Sequence, residues 1–120
     1  MPALAEVRVM YWKEIPVQIQ ARDEGGQISQ PLDSRFQEAT DAIAMMDGSA
    51  GTDAYLDAWS TGPFIAVAGD AATAAERIAR QLNENMPTDF VARIRDLHQS
   101  GQRDESPGVI DDWAGIELGR

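Results

Sequence analysis

Apolar residues recur at every second position over residues 7–11 and again over residues 17–21, on either side of the short connection KEIP. Side chains of a strand point alternately to opposite faces, so a period of two predicts two strands. The short connection between them predicts an antiparallel β-hairpin, with Pro16 at a strand start or an edge. Gly25 and Gly26 are expected to end the second strand.

From Asp33 or Ser34 onward the spacing of apolar residues changes to three and four, which is one face of a helix. Gln37 stands three residues after Ser34, as in a capping box, and Gly48 supplies a left-handed stop. The pattern therefore predicts a first helix between these signals. Its apolar face consists of Phe36, Ala39, Ile43 and Met46.

Later signals predict four further elements. Asp53 opens a short amphipathic turn that runs to Trp59, and the apolar segment TGPFIAVAG at residues 61–69 predicts a buried third strand. Asp70 is expected to cap a second long helix, and Pro87 to begin a last helix that ends at Gly101. The residues predicted to be buried are Phe36, Ile43, Val67, Ile78 and Leu82.

The predicted fold is therefore an α+β domain in the order β-β-α-β-α-α. Its sheet has three strands, the hairpin plus one more, with helices packed on one face. Residues 1–102 form this domain and residues 103–120 form an acidic tail. Because the tail carries apolar anchors around Trp113, we expect residues 109–118 to dock, either on their own domain or on a neighbouring chain.

Charge narrows the classes of partner. Twenty acidic residues against ten basic ones give a formal net charge of −10, and the basic residues are dispersed. Such a chain repels phosphate backbones and anionic lipid heads, so neither nucleic acid nor a membrane is expected as a partner. Cysteine is absent, and no signal peptide or membrane-spanning run stands out, which together predict a cytoplasmic protein.

The sequence shows no recognisable catalytic constellation. His98 is the single histidine and stands near a predicted helix end, where interaction with the terminal carbonyls is its ordinary role. The carboxylates are too scattered for a calcium loop, and no phosphate-binding loop occurs. We therefore predict no cofactor, no metal and no catalytic residue.

One alternative stays open beside this non-catalytic interpretation. Lys13 is the only lysine and adjoins Trp12, so the two side chains could hold an anion or a flat ring by charge and stacking. With Tyr11 and Arg35 they would form a pocket of a small enzyme or ligand-binding protein. The alternatives for Trp12 are a place in the core or in a protein interface, and Trp113 is a candidate for such an interface.

Three stretches together resemble a small bacterial domain family known as virulence factor: VRVMYWKEIPVQI, RFQEATDAIAM and GTDAYLDAW. The resemblance covers about residues 7–86. Family members occur alone or beside HEAT-like repeats, which implies an accessory or protein-interaction module. Stand-alone members tend to be encoded near folate- and corrinoid-dependent methyl-transfer enzymes, so the resemblance implies a helper subunit in one-carbon metabolism. A methyltransferase, a reductase or a second copy bound through the tail is then the expected partner.

Overall fold

The computed structural model describes residues 4–116, and it folds them into one antiparallel sheet with helices packed against it. In chain order the elements are β1 (Leu4–Trp12), β2 (Ile15–Asp23), β3 (Gly26–Pro31), α1 (Ser34–Asp47), α2 (Asp53–Asp57), β4 (Trp59–Thr61), β5 (Ile65–Ala68), α3 (Ala71–Asn85), α4 (Phe90–Gln99) and a 3-10 helix (Asp111–Ala114). No helix among the described residues is long and apolar enough to cross a membrane.

The predicted hairpin is confirmed. Strands β1 and β2 pair antiparallel, with Val9 opposite Ile19, and the register shifts by a bulge next to Pro16. The turn itself is only Lys13 and Glu14, because β2 already begins at Ile15. Lys13 takes a positive φ of 50°, which a two-residue hairpin turn requires.

The sheet has five strands, so the prediction of three strands and of the order β-β-α-β-α-α is wrong. Strand β3 pairs with β2 and extends the sheet beyond Gly26. Segment 61–69 does not form one buried strand, because β4 and β5 are separate short strands that share the outer edge of β1. Trp59 accordingly belongs to β4 and not to the short helix. Val67 is half-buried for the same reason, since β5 pairs only with β1.

Helices α1 and α3 pack on the sheet, and α4 packs on α1. The core between them includes Val7, Val9, Ile19 and Ala21. Four of the five predicted core residues are buried: Phe36, Ile43, Ile78 and Leu82. The core therefore follows from the periodic apolar faces that the sequence displays.

Two of the predicted helix ends are confirmed, and the predicted capping box is wrong. The carboxylate of Asp70 accepts a hydrogen bond from the Thr73 amide at 2.8 Å and caps α3. Gly48 ends α1 with a φ of 85°. The capping box at Ser34 does not form, because Ser34 is already the first helical residue and Asp33 occupies the N-cap position without a side-chain bond.

Candidate functional site

Tyr11 and Trp12 lie in the interior and present no face to solvent. The indole Nε1 of Trp12 donates to the carbonyl oxygen of Tyr55 at 2.9 Å, and the two rings lie 5.6 Å apart. Helix α2 thereby packs against Trp12 at the end of β1. Neither ring has a surface on which a ligand could stack.

Arg35 is separated from that pair by its own contacts. Its guanidinium lies 4.9 Å from the centroid of the Phe36 ring and donates to the carbonyl oxygens of Asn83 and Met86. This arrangement ties the start of α1 to the end of α3. The structure therefore places the four residues of the predicted pocket in different surroundings, Tyr11 and Trp12 in the core and Arg35 at a helix junction.

Lys13, the fourth of these residues, belongs to a charge cluster that links the hairpin turn, the end of α1 and the tail. Its Nζ contacts Asp47 Oδ2 at 2.8 Å and Glu105 Oε1 at 2.7 Å. Arg103 forms a two-pronged contact with Glu14, from Nε at 2.7 Å and from Nη2 at 2.8 Å. Its Nη1 also reaches Asp47 at 3.1 Å.

The centre of this charge cluster is shielded from water. The side chains of Glu14, Asp47 and Arg103 are 1%, 3% and 3% exposed. A bidentate arginine–carboxylate pair is among the strongest hydrogen-bonded contacts in proteins. Because both carboxylates are bound by cations, the cluster is suited to fixing three segments of chain and poorly suited to transferring protons.

Electrostatics in the cluster follow from these contacts. Burial alone would raise the pKa of Asp47, but hydrogen bonds from Lys13, Ser49 and Arg103 hold the pKa of that carboxyl well below its usual range. Burial opposes the charge of Arg103, yet the carboxylate of Glu14 raises the pKa of the guanidinium. The carboxyl of Asp47 and the guanidinium of Arg103 are therefore both charged at neutral pH.

Stability is expected to fall in acid because of Asp47. Above its unfolded pKa of 3.8, the group is ionised in both states and its contribution is constant. As pH falls below that value, the unfolded chain takes up a proton that the folded chain refuses, so the free energy of unfolding decreases. Denaturant melts should show that the difference in free energy of unfolding between wild type and Asp47→Asn becomes smaller from neutral pH to pH 3. A difference that does not change with pH would contradict this prediction.

The described part of the tail packs on its own domain. Tyr11 Oη donates to Asp111 Oδ2 at 2.5 Å, and Gln81 Nε2 donates to the carbonyl oxygen of Ala114 at 2.9 Å. Trp113 is half-buried against the core, with the Arg93 guanidinium 5.6 Å from its ring centroid. The predicted docking thus takes place within the chain for residues 109–116, and residues 117 and 118 of the predicted segment lie outside the described residues.

A shallow cleft between α1 and α2 is the feature that sequence reasoning missed. It measures about 240 Å³ and is lined by Asp41, Ala44, Met45, Ala50, Gly51 and Tyr55. Met45 on α1 is 76% exposed, and Leu56, which follows Tyr55 on α2, is 68% exposed. Long apolar side chains beside an apolar cleft are typical of protein-binding surfaces.

The rim of the α1–α2 cleft is acidic. Asp41 lines it, and Asp53 and Asp57 are exposed at the two ends of α2. Among the described ion pairs, none involves these three carboxylates. One sequence signal could have found the surface, because no lysine, arginine or histidine occurs between Arg35 and Arg77 while acidic residues recur throughout.

Within residues 4–116 no three histidine, cysteine or acidic residues converge as a metal site. His98 is exposed, and its Nδ1 lies 3.3 Å from Arg103 Nη1. No curated protein and no solved structure matches the chain. The model of one protein family, described as virulence factor, matches residues 10–94. The chain therefore belongs to the virulence factor domain family.

Proposed function

We propose that this chain is a non-catalytic protein-interaction domain, working as an accessory module in the cytoplasm, and that it binds its partner at the α1–α2 cleft. The observation that carries the proposal is an apolar cleft lined by exposed Met45, with exposed Leu56 adjacent in sequence to the lining residue Tyr55. Exposed apolar anchors beside a concave surface are where binding energy concentrates in small interfaces.

Charge defines the chemistry of the partner. The cleft lies in a stretch without positive charge, Asp41 lines it, and Asp53 and Asp57 are exposed at the ends of α2. A complementary segment carries one or two apolar side chains flanked by lysine or arginine, since opposite charges steer association and reject wrong partners. An amphipathic helix with a basic rim fits this description.

A pair of model peptides tests the site. Both are amphipathic helices with leucines on one face, and they differ only in lysine or glutamate flanks. We expect the lysine peptide to shift the amide resonances of Met45, Ala50 and Tyr55, and the glutamate peptide to leave them unchanged. Met45→Ser with Leu56→Ser should weaken binding about tenfold or more without loss of stability, because both side chains are exposed. Equal binding of the two peptides would refute the site.

The resemblance described above suggests a partner class, an enzyme of folate- or corrinoid-dependent methyl transfer or a reductase. A photo-reactive side chain at position 56 is expected to cross-link that partner in the producing cells, and the same group at Ala72, exposed on α3, serves as the matched control. Recovery of one protein from position 56 alone, lost with Met45→Ser, would support the helper role. Cross-links of equal yield from both positions would contradict it.

A further inference from the structure

Glu14 and Asp47 form a buried site for a guanidinium group. Together they surround three of the nitrogen atoms of Arg103 at 2.7 to 3.1 Å, and all three side chains are nearly inaccessible. Two neighbouring buried carboxylates cannot both stay ionised without a cation between them. Lys13 contacts Asp47 but is not seen to contact Glu14, so the planar fork of an arginine is what this site requires.

The receiving residues and the docking residues lie in different parts of the chain. Tyr11, Glu14, Asp47 and Gln81 receive the tail, and all four lie inside residues 10–94, the part that matches the family. Arg103, Asp111 and Ala114 are the residues received, and all three lie outside it. The part of the chain that matches the family thus contributes the receiving groups, and residues 103–114 contribute the groups received.

The occupant is held at its two ends. Arg103 fills the guanidinium site, and eight residues later Asp111 accepts the hydrogen bond from Tyr11. Between them, residues 104–107 are exposed, and Ile110 and Ala114 supply buried apolar contacts. Recognition therefore depends on an arginine, a carboxylate eight positions on and a short apolar turn around it.

We propose that the groove formed by Tyr11, Glu14, Asp47 and Gln81 is a peptide-binding site for an arginine-bearing segment, and that residues 103–116 are its built-in occupant. A tethered ligand acts at an effective concentration of roughly millimolar. The wild-type chain therefore excludes competing peptides, and release of its own arginine opens the groove to a segment of the same chemistry. This site is separate from the α1–α2 cleft, so either proposal can fail alone.

The test uses the full chain and a fluorescein-labelled peptide of residues 102–116. By fluorescence polarisation, Arg103→Ala is expected to bind the peptide about tenfold more tightly than wild type, because its guanidinium site is empty. The same peptide with alanine in place of its arginine should bind both chains weakly. Arg93→Ala is the matched control, since it removes an arginine that contacts the same segment through Trp113 and leaves the guanidinium site filled.

If the Arg103→Ala chain binds the peptide with arginine and the peptide with alanine equally tightly, the proposal is overturned. If that variant does not fold, guanidinium ion itself becomes the probe, read by circular dichroism. Millimolar guanidinium chloride should then restore folding to Arg103→Ala, sodium chloride of equal ionic strength should not, and Glu14→Gln with Arg103→Ala should not respond. Equal effects of the two salts would show that no guanidinium site exists.

Discussion

Replacing Trp12 with alanine is expected to lower the free energy of unfolding by about 3–5 kcal/mol, the usual cost of emptying a buried tryptophan site. The side chain is fully buried, and its Nε1 satisfies the carbonyl of Tyr55 at 2.9 Å, so the substitution leaves a cavity and an unpaired acceptor. Urea denaturation followed by circular dichroism measures the loss.

Two tryptophan variants make the result interpretable. Trp113→Ala removes the same atoms from a half-buried position and is expected to cost clearly less. Trp12→Phe keeps most of the apolar volume and loses the hydrogen bond, so its effect should fall between wild type and Trp12→Ala. If Trp12→Ala and Trp113→Ala cost the same, the placement of Trp12 beneath α2 is wrong.

Arg103→Ala is expected to cost about 3–5 kcal/mol, as is usual when one partner of a buried ion pair is removed. The loss arises because Glu14 and Asp47 stay buried without the guanidinium that compensates them. Arg103→Lys should recover only part of it, since an ammonium cannot contact both oxygens of Glu14 as a fork.

A double-mutant cycle separates the ionic contact from general packing. When Glu14 is already glutamine, Arg103→Ala is expected to cost less, with a coupling of at least about 1 kcal/mol between the two positions. The matched exposed pair is Arg93 on α4 with Asp89 at its N-cap. Its coupling energy should be only a few tenths of that value, because exposed pairs contribute little. Strict additivity at Glu14 and Arg103 would contradict the buried pair.

Regular elements with an apolar face were predictable from the sequence. The period-two runs placed β1 and β2, and the spacing of three and four placed α1, α3 and α4. Strand β3 was not predictable in this way, since Ile28 is the single long apolar side chain in GQISQP and the strand lies at an exposed edge. The apolar run at residues 61–69 predicts one strand where the structure has two, because periodicity does not reveal which edge a short apolar run joins.

The candidate sites were predictable only in part. Trp113 was recognised as an anchor of the tail because it stands out in a polar segment. The charge cluster could not be predicted, because Arg103 contacts Glu14, 89 positions away in sequence, and Asp47, 56 positions away. No local sequence pattern encodes contacts of this kind. The covering of Trp12 by α2 is equally non-local, so the alternation of β1 left its environment open.

The contact between Tyr11 and Asp111 joins residues 100 positions apart. On the ribosome, the hairpin and α3 emerge well before the segment that completes them, so early on Glu14 and Asp47 have no guanidinium between them. Contacts of such long sequence separation form late and slow the final step of folding. Because that step brings opposite charges together, its rate is expected to fall with rising ionic strength. The rate at which the apolar faces of β1 and α3 associate is expected not to depend on ionic strength in this way.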